Sequence, residues 1–209
     1  MKPENVTGCF PQCTQPAAPW GTGARLLMCV IAAGAWTLFG AAALTAQQTR
    51  PSEFQIKAAY IYNFGKFVKW PAVAPANQSG AFTICVLDGD PFGVTLGSTL
   101  AGETVGGKPV VVRRIGKAQD ASVCHILFIS SAQGKDLKGI LSALDEDAVL
   151  TVSDMADFSK RGGMIQFVLE GDRIRFEINL EGAEKSHLVF PSELLKVAMA
   201  VKKPAGAGE

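Results

Sequence analysis

The chain has 209 residues, 48% of them hydrophobic, with 20 basic and 19 acidic side chains and a formal net charge of +1. Such a balance excludes a protein held to nucleic acid or to an anionic membrane surface by an excess of positive charge.

Residues 3–24 contain Pro3, Pro11, Pro16 and Pro19 and read as unstructured. Residues 26–49 then carry no charge at all. They follow Arg25 and end in small residues (Ala41, Ala42, Ala43, Ala46) before Gln47-Gln48. A basic flank, an apolar core and a small-residue exit are the parts of a secretory signal. The run to Ala46 is also long enough to span a bilayer, so retention as an inner-membrane anchor is the alternative. Its alanines and glycines lower its hydrophobicity and favour cleavage. Either way the domain from about residue 47 lies outside the cytoplasm. We expect an N-terminal extension plus signal over 1–46, a single α/β domain over 47–201 and a flexible tail over 202–209. The extension holds Lys2, Arg25 and Glu4, so 18 basic and 18 acidic residues remain beyond it.

The domain begins with a helix. Ser52 is a good N-cap beside Glu53, and Phe54, Ala58, Ile61, Phe64 and Val68 recur at three- and four-residue steps. Tyr60 and Phe67 widen the stripe, Lys57, Lys66 and Lys69 fall on a solvated side, and Trp70-Pro71 ends it. Strand 82–87 runs into the turn Asp88-Gly89-Asp90-Pro91, which starts a helix to about Leu100. Strand 109–115 and strand 124–129 follow. A helix with Leu137, Ile140, Leu141 and Leu144 comes next, then strand 148–152 and a loop over 153–163. Alternating apolar strands and helices predict an α/β fold, a mostly parallel sheet flanked by helices in a Rossmann-like sandwich. The pattern then changes. Met164–Leu169 and Arg173–Ile178 flank Gly171-Asp172 and read as an antiparallel hairpin, with Ile174, Phe176 and Ile178 on its buried face. Asn179 can cap a following helix, and a last helix from Ser192 carries Leu194, Leu195, Ala198 and Val201.

Cys85 and Cys124 are the two cysteines beyond the extension, and both sit in apolar strand-like runs. In an oxidising compartment such a pair commonly bridges; two separately buried thiols are the other reading. With His125 and His187 the only histidines, a Cys/His zinc cluster is excluded, and no metal or cofactor is expected.

Three polar clusters follow predicted strands: Asp88/Asp90, Ser130/Ser131 and Ser153/Asp154. In an open parallel sheet these ends converge on one rim, where ligands commonly sit. Arg161-Gly162-Gly163 could add a cation and free backbone N–H groups for an anion. The same residue types are also ordinary turn and capping residues. Catalysis is not supported. Ser130-Ser131 lacks the flanking glycines of a nucleophile elbow, and His125 lies inside an apolar strand. Gly102, Gly106 and Gly107 neither follow a strand nor open a helix, as a phosphate loop would.

The words Lys57-Ala-Ala-Tyr-Ile-Tyr-Asn-Phe64 running to Trp70-Pro71, Val149-Leu-Thr-Val-Ser-Asp-Met-Ala-Asp-Phe158, Gly162-Gly-Met-Ile-Gln-Phe167, Phe176-Glu-Ile-Asn-Leu180 and Leu194-Leu-Lys-Val-Ala198 resemble the YfiR family, in order, over nearly all of 53–200. Gly182, Pro191-Ser192-Glu193 and the lack of a cysteine pair near 154–163 depart from its pattern. The resemblance implies a periplasmic regulator, not an enzyme. Family members bind the periplasmic sensor region of a membrane-bound GGDEF-type diguanylate cyclase and hold it inactive, restraining cyclic di-GMP and biofilm formation. An outer-membrane lipoprotein of the OmpA type draws the repressor away. Related domains are fused to sensor kinases, so a sensor kinase is another partner, as is a second copy of the chain in a homodimer. Exposed groups offered as partner contacts are Lys66, Lys69, Asp157 and Arg161. The competing reading is a small-molecule receptor or receptor accessory using the strand-end rim.

Overall fold

The computed structural model describes residues 50–144 and 147–203. The apolar run 26–49 and the tail from 204 lie outside the described residues. Among those described, no helix is long and apolar enough to cross a membrane.

Helix α1 (Glu53–Phe67) starts at a capping box: the Ser52 hydroxyl accepts from the Gln55 N–H at 3.3 Å, and the Gln55 side chain accepts from the Ser52 N–H at 2.7 Å. Ala58, Ile61 and Phe64 are fully buried, as the stripe predicts. Two expectations are corrected. Phe67 is 45% exposed, whereas Lys57 is only 3% exposed and belongs to the buried side. Helix α1 can approach the sheet because position 65 is glycine; a Cβ there would lie 2.9 Å from the Phe82 ring.

Strand β1 (Phe82–Leu87) is buried along its whole length. Short helix α2 (Thr95–Thr99) is what forms of the expected helix to Leu100. Strands β2 (Thr104–Val105) and β3 (Lys108–Ile115) make a tight hairpin. Gly106 and Gly107 both have positive φ, 57° and 79°, the two-residue turn that matches strand twist. That turn is the work of those glycines. Strand β4 (Ile126–Ile129), helix α3 (Leu137–Ala143) and strand β5 (Leu150–Ser153) follow. The chain then forms β6 (Ile165–Glu170), β7 (Arg173–Asn179), α4 (Leu180–Lys185), α5 (Ser192–Val197) and β8 (Ala200–Lys202). β8 was not anticipated, and it removes Lys202 from the expected tail and Val201 from the last helix.

The eight strands form one sheet in the order β2-β3-β1-β4-β5-β6-β7-β8. Strands β3, β1, β4, β5 and β6 run one way; β2, β7 and β8 run the other. The sheet is therefore mixed, which corrects the expected mostly parallel, Rossmann-like sheet. Tight two-residue connections at 106–107 and 171–172 can only join antiparallel neighbours, and they reverse the chain at both flanks.

Each face of the sheet has its own apolar layer. On one, Ala58, Ile61 and Phe64 of α1 meet Ile84, Val86, Phe128, Phe167 and Phe176. On the other, Leu137 and Ile140 of α3 meet Cys85, Leu127, Ile129, Met155 and Phe158. Cys85 and Cys124 are joined by a disulfide, with 5.9 Å between their Cα atoms, in this second layer. Tyr60, Phe64, Phe167 and Phe176 clamp α1 onto the β6–β7 hairpin, with ring centroids 5.0 Å apart for Phe64 and Phe176 and 5.5 Å for Tyr60 and Phe176. Edge-on aromatic pairs of this kind add to the burial of their area.

Candidate functional site

The parallel strands β1, β4 and β5 end on one side of the sheet, where the chain leaves β1 for β3 in one direction and β4 for β5 in the other. Open sheets place ligand crevices at such a switch point. The rim residues are brought to this edge but do not form one site. Asp88 lines a polar crevice of about 210 Å³ with Lys117, Gln133 and Asp136, on the α3 face. Ser131 and Asp154 line another, of about 190 Å³, with Glu53, Lys57 and residues of the β6–β7 hairpin, on the α1 face. The sheet stands between them.

The remaining rim groups are occupied by the turns themselves. Asp90 accepts from the Phe92 N–H at 2.8 Å and from Arg114 Nε at 2.7 Å. Ser130 accepts from the Ala132 N–H at 3.3 Å, and Ser153 from the Met155 N–H at 3.0 Å. The Arg161-Gly162-Gly163 segment is equally structural. Arg161 donates to the Gly134 carbonyl at 2.7 Å and contacts Met155 Sδ. Gly162 has φ of 107°, and a Cβ on Gly163 would lie 2.1 Å from the Phe158 ring. Asn179 does not cap α4 with its side chain; its amide donates to the Gly163 carbonyl at 3.1 Å. Gly182, unusual in a helix, lies where a Cβ would come 3.0 Å from the Gly162 carbonyl.

Lys57 is the group that the sequence pattern misplaced. Its ammonium lies 2.8 Å from Asp154 Oδ2 and 2.6 Å from Glu53 Oε1, with the Phe54 ring 5.4 Å away. Burial opposes its charge, but the hydrogen bonds and charges of Asp154 and Glu53 outweigh burial and hold its pKa above the ordinary lysine value. Asp154 Oδ1 has no hydrogen-bond partner among the described residues and is out of contact with solvent. The signal for this cluster was weak: Glu53 and Lys57 are one helical turn apart, but Asp154 is 97 residues further on.

His125, 1% exposed, is a packed core residue as the sequence suggests. It accepts from the Thr83 N–H at Nδ1 (3.1 Å), which places its proton on Nε2, 3.2 Å from Asn77 Oδ1. Its ring stacks on Phe82 with centroids 4.2 Å apart, and Trp70 donates to its carbonyl. Burial, reinforced by nearby Lys108, lowers its pKa to about 4. A neutral imidazole with both nitrogens engaged is a poor general base.

The proposed partner contacts divide in the same way as the rim. Lys66 lies on α1 with its ammonium 5.2 Å from the Tyr62 ring centre, and Lys69 follows α1 and bridges to Val189 through the backbone. Asp157 and Arg161 lie on the loop that inserts Met155 and Phe158 into the opposite layer. Asp157, with a positive φ of 58°, pairs with Lys160 at 2.6 Å, and that ammonium holds its carboxyl below the usual range.

The fold and these clusters define a mixed α/β domain whose strand-end polar groups serve turns, caps and two crevices. Its sequence identifies it further: the profile of the YfiR/HmsC-like family matches residues 54–199, and the chain belongs to that family. No curated protein matches it. Among solved structures it is similar to a conserved domain protein from Vibrio cholerae O1 biovar El Tor, at 13% identity and a TM-score of 0.51. That alignment covers 74% of this chain and 62% of the Vibrio chain, and it bears on the fold alone. A weaker likeness, with TM-score 0.44 and 14% identity, is to an ABC domain in complex with L-Trp from Streptococcus pneumonia; it covers 61% of this chain and 60% of that one.

Proposed function

We propose that the protein is an exported regulator that binds the periplasmic sensor region of an inner-membrane GGDEF-type diguanylate cyclase and holds it inactive. Membership of the YfiR/HmsC-like family over 54–199 is the observation that carries this reading. The buried Cys85–Cys124 bridge supports an oxidising compartment, and the engagement of Ser130, Ser153 and His125 in structure supports binding over catalysis. Such an inhibitor acts by binding the inactive cyclase more tightly than the active one, since equal affinity shifts no population. An OmpA-like outer-membrane lipoprotein is the expected relieving partner, and a sensor kinase the alternative target.

Deleting the gene should raise cyclic di-GMP and biofilm, and removing the cyclase as well should cancel the rise. Unchanged cyclic di-GMP under several envelope stresses would overturn the cyclase assignment. Because Lys66/Lys69 and Asp157/Arg161 lie on different faces, charge reversal of each pair separately should weaken binding to the cyclase's sensor region for one pair and not the other. Recovery of the protein mainly in the cytoplasm would remove the export premise.

A further inference from the structure

Strand β3 is shielded along only part of its outer side. β2, its outer neighbour, spans two residues and pairs with Lys108 and Pro109 alone. Beyond them, no strand among the described residues pairs with the outer side of 111–115. β1, on the inner side, is buried throughout, whereas no residue of β3 is buried. Two hydrogen bonds fix the direction of the backbone groups. The Val110 N–H donates outwards to the Glu103 carbonyl at 2.9 Å, and the Ile115 carbonyl accepts inwards from the Asp88 N–H, just past the end of β1, at 3.0 Å. Backbone groups alternate in direction along a strand, so the N–H and C=O of Val112 and Arg114 point away from β1. Val111, 41% exposed, and Arg113, also exposed, flank them.

An edge with free N–H and C=O groups is a template for one more strand, which binds through its main chain and is selected through its side chains. The side chains here are cationic. No ion pair of the described residues involves Arg113, and Arg114, though paired with Asp90, keeps 56% of its side chain exposed. We propose that the open edge of β3 takes an extended acidic segment of a protein partner as an added strand, its backbone bonding Val112 and Arg114 and its carboxylates meeting Arg113. A second copy of the chain fits the edge less well. Two-fold pairing of β3 with itself brings the same arginines from both chains onto one short ladder, where like charges oppose pairing. The edge is separate from both crevices, and it does not depend on the repressor reading.

The test is amide hydrogen exchange of the full chain, alone and with a short peptide alternating glutamate and valine, at fixed ionic strength. The same peptide with lysine in place of glutamate is the control. In the free chain the Val112 and Arg114 amides should exchange about tenfold faster than those of Val111 and Arg113, which face β1. The acidic peptide should slow Val112 and Arg114 about tenfold, and the lysine peptide should leave them unchanged. Arg113→Glu should weaken binding of the acidic peptide about tenfold without lowering the melting temperature. Val112→Pro removes an outward N–H and no bond to β1, so it should abolish binding in a folded chain. If that variant does not fold, Arg113→Glu and the exchange rates decide. Four results overturn the proposal: protection of Val112 and Arg114 already present in the free chain at low concentration, which would mean that the chain covers its own edge; protection that rises with protein concentration, which would make a second copy the occupant; equal binding of the two peptides; or undiminished binding by Arg113→Glu. The readout is direct binding, so its failure is distinct from an unchanged cyclic di-GMP level.

Discussion

Lys57 and His125 are both nitrogen bases buried to within a few per cent, and the protein treats them in opposite ways. His125 sits among Phe82, Trp70 and a neutral amide, with Lys108 the nearby charge, and is kept uncharged. Lys57 sits between two carboxylates and is kept charged. Burial alone lowers the pKa of either base; the sign of the outcome is set by which charges are brought alongside. The Lys57–Asp154 pair joins α1 to the residue that follows β5, and so ties those two distant segments together.

The comparison can be broken most severely on the His125 side. The disulfide ends at Cys124, its immediate neighbour, and closes a loop with a sequence separation of 39. Replacing both cysteines by alanine should cost about 3–4 kcal/mol in urea denaturation, and hydrogen exchange should rise around β1 and β4 more than around α1. Next, Asp154→Ala should cost about 3 kcal/mol, because it leaves a buried ammonium with only the half-exposed Glu53. The double variant Lys57→Met with Asp154→Leu should recover most of that loss; failure to do so would show that the pair stabilises more than it costs to bury.

The two groups also separate by pH. The unfolded chain takes up a proton at His125 near pH 6.5, the native protein only near pH 4, so stability falls as pH is lowered through that window. The loss should be on the order of 2 kcal/mol between pH 7 and 4.5 and should be absent in His125→Gln. For Lys57 the native pKa is the higher one, so its contribution is fully present below pH 10.5 and is lost only as pH rises past it. The smallest effect belongs to exposed charges. Breaking the Lys160–Asp157 pair with Lys160→Ala should leave the urea midpoint unchanged within measurement error, since both side chains are mostly solvated.

The long apolar runs were legible because their periodicity is local: β1, β3, the β6–β7 hairpin and α1 follow the pattern of their own residues. β2 and β8 were not, since two and three residues carry no period, and β8 exists only through pairing with β7. The reversal at β7 was legible in the Gly171-Asp172 hairpin, while β8, the second strand running that way at this edge, was missed. At the site, the strand-end residues were found but not their division between two faces, which depends on the side of the sheet each leaving chain takes. The burial of Lys57 was invisible, because its partner is distant in sequence. The segments that carry the family resemblance turn out to be those that touch: Tyr60 and Phe64 meet Phe167 and Phe176, Lys57 meets Asp154, and Asn179 meets Gly163.

The placement of β8 at the end of the order, beside β7, has a consequence for how the chain acquires its structure. A strand made of residues 200–202 pairs with one made of 173–179, and the turn of chain after α1 bridges to Val189. Contacts between such widely separated positions slow folding, because loop closure must precede the reward. Until β8 has formed, β7 presents an open, hydrogen-bonding edge. The docking of β8 therefore closes the interval in which β7 is most exposed to pairing with neighbouring chains.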